Sequence, residues 1–446
     1  MGLDMIDVVI GMDDIDSPRG GCTTHFASLA VEELNKLSVQ WNDYPNLVRL
    51  NPNIPFRTRG NGAVALRFSI DRDKRTGLIP LISDMTSNYI ERGYPNTNPG
   101  IVVLRGDIPD RIKWFSQQAT WRGVSLEIAK RILKNEEIDS FTIGNGRGVI
   151  GALSAIGNTM DEDYTYEYIA YRSIESSAEP REVSLESVRK MDQSFGDVTF
   201  SNIDYETGYV LVEPHGPDPV LFGVRGESSM ILREAAEYIK SKQPKERWMI
   251  FRTNQATGEH LQHRVKICDL RPYMSARVRC WVLKEPRIIE GGHVIFQVVD
   301  DSGAIDCAAY EPTGSFREIV RQLIPGDDLV LDAGVRPSSR AHGMTLNVEG
   351  MEIINLAENI RLLNPLCPEC GKRLKSAGRD KGYKCEKCGF RSQDLSKKKI
   401  IFERKIKEGI HLPPPRAQRH LTRPKSRVDR SNNGFTADLI DKWHSF

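Results

Sequence analysis

The spacing of apolar positions changes once in the first forty or so residues. Residues 6–12 form a short apolar run that reads as a buried strand. Over residues 23–37 the apolar positions recur at helical spacing, with Phe26, Leu29, Ala30, Leu34 and Leu37 on one face. Strand-like and helix-like stretches keep alternating to about Ile156, and residues 125–135 form another of the helices. A second α/β stretch runs from Tyr164 to about Gln243. Its strands fall near "YTYEYIAYR" and "YVLVEP", and its helix over "GESSMILREAAEYIKS". "KSKQPKER" reads as a boundary or tight connection, with a strand following in "WMIFRTNQATG".

The texture changes from Pro272 to Asn355. Three strand-like runs joined by Gly and Pro turns precede a helical "GSFREIVRQL", and "GDDLVLDAGVRP" and "GMTLNVEGMEIINL" follow. Three strands, a helix and two more strands is the layout of an OB-fold β-barrel, with a generic small antiparallel barrel as the plainer alternative. Next comes "CPECGKRLKSAGRDKGYKCEKCG". Its two C-x2-C pairs present Cys367, Cys370, Cys385 and Cys388 at the spacing of a tetrahedral Zn²⁺ site. A unit this small has no core without the metal, and four sulfurs leave no open position, so the site reads as a structural zinc ribbon.

Composition adds an asymmetry. The net charge is only +2, yet residues 361–430 carry 21 Lys and Arg against 7 Asp and Glu, and residues 1–360 carry 40 against 51. An acidic body with a basic C-terminal arm points to a polyanionic partner, nucleic acid first, with a solvated tail as the alternative. "SKKKIIFERKIKEGIHLPPPRAQRHLTRPKSRVDR", with its triple proline, reads as an extended arm that orders on such a partner. No stretch reaches the roughly 18 apolar residues of a membrane span and no signal peptide leads the chain, so the expected place is the cytoplasm. The resulting architecture is multidomain α+β, with divisions at 1–160, 161–270, 271–358, 359–393 and 394–446.

The candidate chemistry starts at "GMDDIDSPRGGCTTHFA". Asp13, Asp14 and Asp16 repel one another unless a cation joins them, and hard carboxylates suit Mg²⁺, which usually arrives with nucleotide phosphates. Gly20 and Gly21 lead into a helix N-terminus whose free N–H groups face an anion, with Thr23 and Thr24 at its head. Thr23 is a candidate to contact or accept a phosphate; the plainer reading is a helix cap. No Walker A loop is present. In "RLNPNIPFRTRGNGAVALRF", Arg49, Arg57 and Arg59 flank Gly60, Asn61 and Gly62, a pattern for polyphosphate or an ordinary hairpin. "IGNGRGVIGALSAIG", with Arg147, is a third, weaker glycine-rich segment. "EPHGPDPVLFGVRGE" reads as turn-rich: Asp218 and Glu227 suit a small cationic substrate, Arg225 a phosphate, and His215 a hydrogen-bonding role. "RTNQATGEH" adds polar groups without an evident structural purpose.

Taken together, the acidic loop, "RLNPNIPFRTRGNGAVA", "GNGRGVIGALSAIG", "PHGPDPVLFGVRGE", "FRTNQATGEHL", the CxxC ribbon and "LPPPRAQRHLTRP" resemble the archaeal tRNA-isoleucine 2-agmatinylcytidine (agmatidine) synthetase family, over nearly the whole chain to about Pro424. The resemblance implies a kinase-like N-terminal domain, a ferredoxin-like domain, an OB-fold and a zinc ribbon. It implies ATP-dependent replacement of the 2-oxo group of the wobble cytidine by agmatine, in the isoleucine tRNA with a CAU anticodon, through a phosphorylated C2 oxygen. On it, Asp13, Asp14 and Asp16 handle metal and phosphate, Thr23 is the candidate phospho-acceptor, and Asp218 and Glu227 are agmatine ligands. One departure stands out: Ile15 occupies the place of a threonine in the family's D-D-T-D pattern. No obligate protein partner is evident. Two other readings remain at this point. One is a non-catalytic OB-fold and zinc-ribbon protein that binds single-stranded nucleic acid, and the other a metal-dependent phosphatase or nuclease. The last sixteen residues lie beyond the resemblance.

Overall fold

The apolar run at the N-terminus becomes β1 (Met5–Asp13), whose Val8, Ile10 and Met12 are buried. A strand with both faces covered needs no polar alternation, which is why the run is continuous. The computed structural model describes the chain except residues 1–3, 58–59, 91–93, 95, 178, 341 and 434–438. After β1 come α1 (Thr23–Lys36), β2 (Gln40–Trp41), β3 (Asn46–Arg49), β4 (Gly62–Asp71), α2 (Leu78–Tyr89), β5 (Gly100–Arg105), α3 (Asp110–Trp121), α4 (Leu126–Asn135), β6 (Asp139–Thr142) and α5 (Val149–Gly157). The second stretch holds β7 (Thr165–Tyr171), α6 (Leu185–Phe195), β8 (Thr199–Phe200), β9 (Ile203–Asp204), β10 (Tyr209–Val210), β11 (Val220–Gly226), α7 (Ser229–Tyr238) and β12 (Arg247–Thr253).

These two stretches build one ten-stranded sheet in the order β6-β5-β1-β4-β3-β12-β7-β11-β8, with β2 beside β4. Its ladders are antiparallel except where β3 meets β12 in parallel over two residue pairs, Asn46 with Arg252 and Leu47 with Thr253. That seam joins two halves of the sheet, and the polar groups of "RTNQATGEH" knit it together. Arg252 binds Asp43 in a buried bidentate pair at 2.6 and 3.1 Å. Thr253 Oγ1 donates to Leu47 O, while the Asn254 side chain accepts from Arg49 N and donates to Arg49 O. The segment thus has a structural purpose that its composition does not reveal.

Below the parallel pairing the seam is filled by the C-terminus. Ile250 N donates to Trp443 O and Ser445 N to Trp248 O. Trp443 is 5% exposed and packs edge-on against Trp41 and Tyr44. A large aromatic wedge here covers apolar surface that two splayed half-sheets leave open.

Two expectations change. "YVLVEP" supplies only the two-residue β10, paired with β9; the long strand of that region is β11, in the segment expected to be turn-rich. Gly223 interrupts its pattern, and a Cβ there would lie 2.8 Å from the Glu167 carboxylate of neighbouring β7, so the glycine marks a close approach inside a strand. Second, residues 415–430 do not hang free for a partner. Arg427 is fully buried, binding Glu227 at 2.5 Å and Asp163 at 2.9 Å, and Arg416 binds Asp204 and Glu206. The arm's cations are met by carboxylates of the acidic body.

Beyond the sheet, β13 (Ser275–Ile288), β14 (Val294–Val299), β15 (Ala304–Ala309), α8 (Ser315–Val320), β16 (Asp328–Arg336) and β17 (Thr345–Asn355) form a closed five-stranded barrel. Closure comes from a parallel pairing of β15 with β17, and α8 lies between the third and fourth strands. Buried and exposed positions alternate along β13, and its inward side chains join Phe296, Leu331 and Val348 in a separate core. A two-stranded ribbon, β18 (Asn359–Leu363) with residues 398–402, connects the barrel to the four-cysteine unit. The whole is a multidomain α+β fold. Among the described residues no helix is long and apolar enough to cross a membrane.

Candidate functional site

The seam between the half-sheets opens on a cavity of about 720 Å³. Sites for small molecules commonly have this size. Its walls carry opposite charge.

The acidic wall comes from the end of β1 and the loop after it. Asp13, Asp14 and Asp16 all line the cavity. The Asp13 carboxyl is pushed well above its usual range, chiefly by burial and then by the Asp14 charge. It lies over the first turn of α5, where a Cβ on Gly151 would overlap it; the glycines of "GNGRGVIG" allow this approach. Asp14 sits in left-handed backbone (φ 57°), and its Oδ2 accepts from Asn98 N at 3.1 Å, with an Arg147 guanidinium nitrogen at 3.9 Å. Burial raises it to about 6, against the pull of the Asn98 amide and Arg147. Asp16 is buried, and its carbonyl accepts from Thr97 Oγ1. Three crowded carboxylates, two of them pushed towards the neutral acid, are an arrangement that a divalent cation relieves.

Thr23 and Thr24 open α1 on the same cavity. The N-cap is Cys22, without a side-chain cap bond, so Thr23 is the first helical residue and not the cap. Gly20 and Gly21 are not on the wall; Gly20 closes a tight turn with Ser17 through paired backbone bonds.

The basic wall comes from four places in the chain. Arg49 leaves the end of β3, and Arg57, Gly60, Asn61 and Gly62 lie in the loop before β4. Arg225 comes from β11, and Arg419 and His420 from the C-terminal arm. Arg59 falls outside the described residues. Beneath the arginines sits Glu167, 3% exposed in the middle of β7. It accepts from Arg225 Nε at 2.9 Å and from Gln255, and lies 3.8 Å from an Arg49 nitrogen. The charge of Arg49 and then burial hold His420 well below its usual range, so it is neutral among the cations. Arg49 and Arg225 share the one Glu167 carboxylate, while Arg419 has Glu349 at 3.5 Å, so this wall is the more positive of the two.

Asp218 also reaches the cavity, buried, with its carboxylate receiving Arg181 at 3.1 Å and the Val220 amide. Glu227 does not join it. It is absent from the wall, and its carboxylate is taken by Arg427 and Asn432, because the arm docks over it. His215 lines the cavity and is hydrogen-bonded to Tyr209. Sequence reasoning missed Glu167, Gln255, Arg419 and His420. A lone carboxylate inside an otherwise apolar strand was the available signal for Glu167, since a buried charge requires a partner.

The sulfurs of Cys367, Cys370, Cys385 and Cys388 lie within 4.8 Å of one another, far from this cavity along the chain. Cys367 and Cys388 are 3.4 Å apart, Cys370 and Cys385 3.5 Å. Such edges suit a tetrahedron with metal–sulfur bonds of about 2.3 Å, so the cluster could hold zinc. Amides of the knuckles brace it, Gly371 N donating to Cys367 O and Gly389 N to Cys385 O.

Residues 9–81 match the family described as TiaS TCKD domain, residues 146–260 the TiaS FLD domain, and residues 364–406 the TiaS C-terminal zinc ribbon domain. The isoleucine-tRNA 2-agmatinylcytidine synthetase TiaS of Staphylothermus marinus is 43% identical over 440 residues, 97% of this chain and 96% of its own length. The crystal structure of TiaS in complex with its isoleucine tRNA and ATP superposes with a TM-score of 0.86 at 36% identity, covering 96% of this chain and 100% of that one. That of TiaS with the same tRNA, AMPCPP and agmatine does so with a TM-score of 0.83 at 34% identity, covering 96% and 100%. The chain belongs to the isoleucine-tRNA 2-agmatinylcytidine synthetase (TiaS) family.

Proposed function

We propose that this protein is an ATP-dependent ligase that joins agmatine to C2 of the wobble cytidine in the isoleucine tRNA with a CAU anticodon. The observation that carries the reading is the cavity at the seam, acidic on one wall and basic on the other, in a chain that matches a complex of TiaS with tRNA and ATP over 96% of its length. A binding module alone would leave that cavity without a purpose.

The C2 oxygen of cytosine is a poor leaving group. Transfer of the γ-phosphoryl of ATP to it makes a phosphate ester, and the primary amine of agmatine then attacks C2 and expels phosphate. Such transfers depend on positioning and charge neutralisation. Asp13, Asp14 and Asp16 would hold Mg²⁺, which neutralises phosphate oxygens when bound. Arg49, Arg57 and Arg225 bind phosphates from the basic wall and Thr24 from the head of α1; Gly60, Asn61 and Gly62 shape the arginine loop, in whose sequence Arg59 is a further phosphate ligand. Thr23, at the helix head, contacts or accepts a phosphate. Asp218 is the carboxylate for the guanidinium of agmatine, a role in which Glu227 has no part.

The finer assignments follow the same reading. Residues 1–160 are kinase-like and 161–270 ferredoxin-like. Residues 271–358 are an OB-fold, supported by the barrel's closure and the position of α8. Residues 359–393 are a zinc ribbon with Zn²⁺ on its four cysteines. The arm, 394–446, adds Arg419 and His420 to the cavity, and the cations it leaves exposed face RNA. The place of action is the cytoplasm. The test is Asp14→Ala: ATP turnover in the presence of tRNA and agmatine is lost while tRNA binding persists. Wild-type protein without ATP turnover refutes the proposal.

A further inference from the structure

Phe56 is 67% exposed on the wall of the cavity. A single exposed phenylalanine is ordinary on a protein surface. Three further observations separate this one. The guanidinium of Arg147 lies over its ring, 5.2 Å from the centroid, so one face is covered and the ring still shows most of its area to solvent. The same guanidinium reaches to 3.9 Å from Asp14, which connects the ring to the acidic loop through one side chain. The loop that carries Phe56 is also anchored. Asn51 Nδ2 donates to Tyr273 O at 2.7 Å and Asn53 Nδ2 to Ser275 Oγ at 2.9 Å, at the start of barrel strand β13. The ring is therefore presented at a fixed place between barrel and cavity.

We propose that the free face of Phe56 is a stacking platform for the extruded wobble cytosine at the wall of the cavity. The inference rests on the function proposed above. A base drawn out of the anticodon stack loses both neighbours, and proteins that act on such bases replace them with aromatic faces. The covered face supplies a cation–π partner, which keeps the ring oriented. Because every base has a π-face, the platform positions the base without selecting it.

The test uses the full-length protein and a CAU-anticodon isoleucine tRNA transcript with a fluorescent cytosine analogue, pyrrolo-cytosine, at the wobble position. A second, unlabelled transcript reports agmatidine formation under single turnover. Phe56→Ala, Phe56→Leu and Phe56→Trp are compared with wild type after their melting temperatures are shown to agree. Extrusion brightens the analogue in all four proteins, and stacking on the ring quenches it again in wild type and Phe56→Trp but not in the other two. Phe56→Ala and Phe56→Leu form agmatidine ten-fold or more slowly, with tRNA affinity within about three-fold of wild type, and Phe56→Trp restores the rate. Wild-type modification that Phe56→Leu and Phe56→Ala match, with the same fluorescence change, overturns the role of Phe56 alone. A wild-type protein that leaves both transcripts unchanged overturns the function and the platform together.

Discussion

Glu167 accepts the Nε–H of Arg225 at 2.9 Å, and the two residues, on adjacent strands, form part of the floor of the cavity. Arg49 approaches the same carboxylate from the other half of the sheet. Without Glu167, two guanidiniums would share a buried wall with no counter-charge. Removing one partner of a buried pair costs about 3–5 kcal/mol. Glu167→Ala is expected to lose stability of that order in urea unfolding, and to lose activity with it. An unchanged midpoint would show that the arginines need no shared partner.

The C-terminal wedge makes a second prediction. Trp443 lies between the half-sheets against Trp41 and Tyr44. Truncating a buried tryptophan to alanine costs about 3–5 kcal/mol, so Trp443→Ala should melt well below wild type. Equal melting temperatures would mean that the tail only decorates the seam.

The four-cysteine unit has a small core of its own around Leu374 and little else. One zinc per chain is expected by metal analysis. Cys388→Ser, or a strong chelator, should disorder residues 364–393 while the barrel and sheet unfold as before, since small units of this kind draw their folding free energy from the metal. A chain without bound zinc that keeps the ribbon's amide protection would contradict this.

Two buried histidines set an acid limit. His25 is held to about 3, chiefly by burial and then by the Arg247 charge, and His420 is held well below its usual value. Between about pH 3 and pH 6.5 the unfolded chain binds a proton at His25 that the folded chain refuses. The contribution of His25 is therefore fully present above pH 6.5 and is lost as the pH falls. Asp13 and Asp14 act with the opposite sign, being raised. Comparing His25→Gln with wild type isolates the histidine: the drop in urea midpoint from pH 7.5 to pH 4.5 should be smaller in the variant. Parallel pH profiles would exclude His25 as a contributor.

How much of this was legible in the sequence depended on the range of the interactions. β1, α1 and the CxxC pairs are local patterns, and their bounds agree with the periodicity to within a residue or two. The acidic loop and the arginine loop stand out by composition, but they meet because β1 runs antiparallel beside β4, with Met12 opposite Val64, a pairing that no local pattern contains. Glu167 was hidden in an apolar strand, and Gly223, whose bare backbone makes room for it, made β11 look like a turn. The arm read as a ligand for RNA because the carboxylates that meet Arg427, Asp163 and Glu227, lie some 200 residues and more away.

The central claim is tested most directly by mass spectrometry of the CAU-anticodon isoleucine tRNA transcript after incubation with the protein, Mg²⁺, ATP and labelled agmatine, with each component omitted in turn. Label in the wobble nucleotide, dependent on ATP and on Asp14, is the predicted result. A transcript that is bound but left unmodified would contradict the account and leave the protein a nucleic-acid binding module.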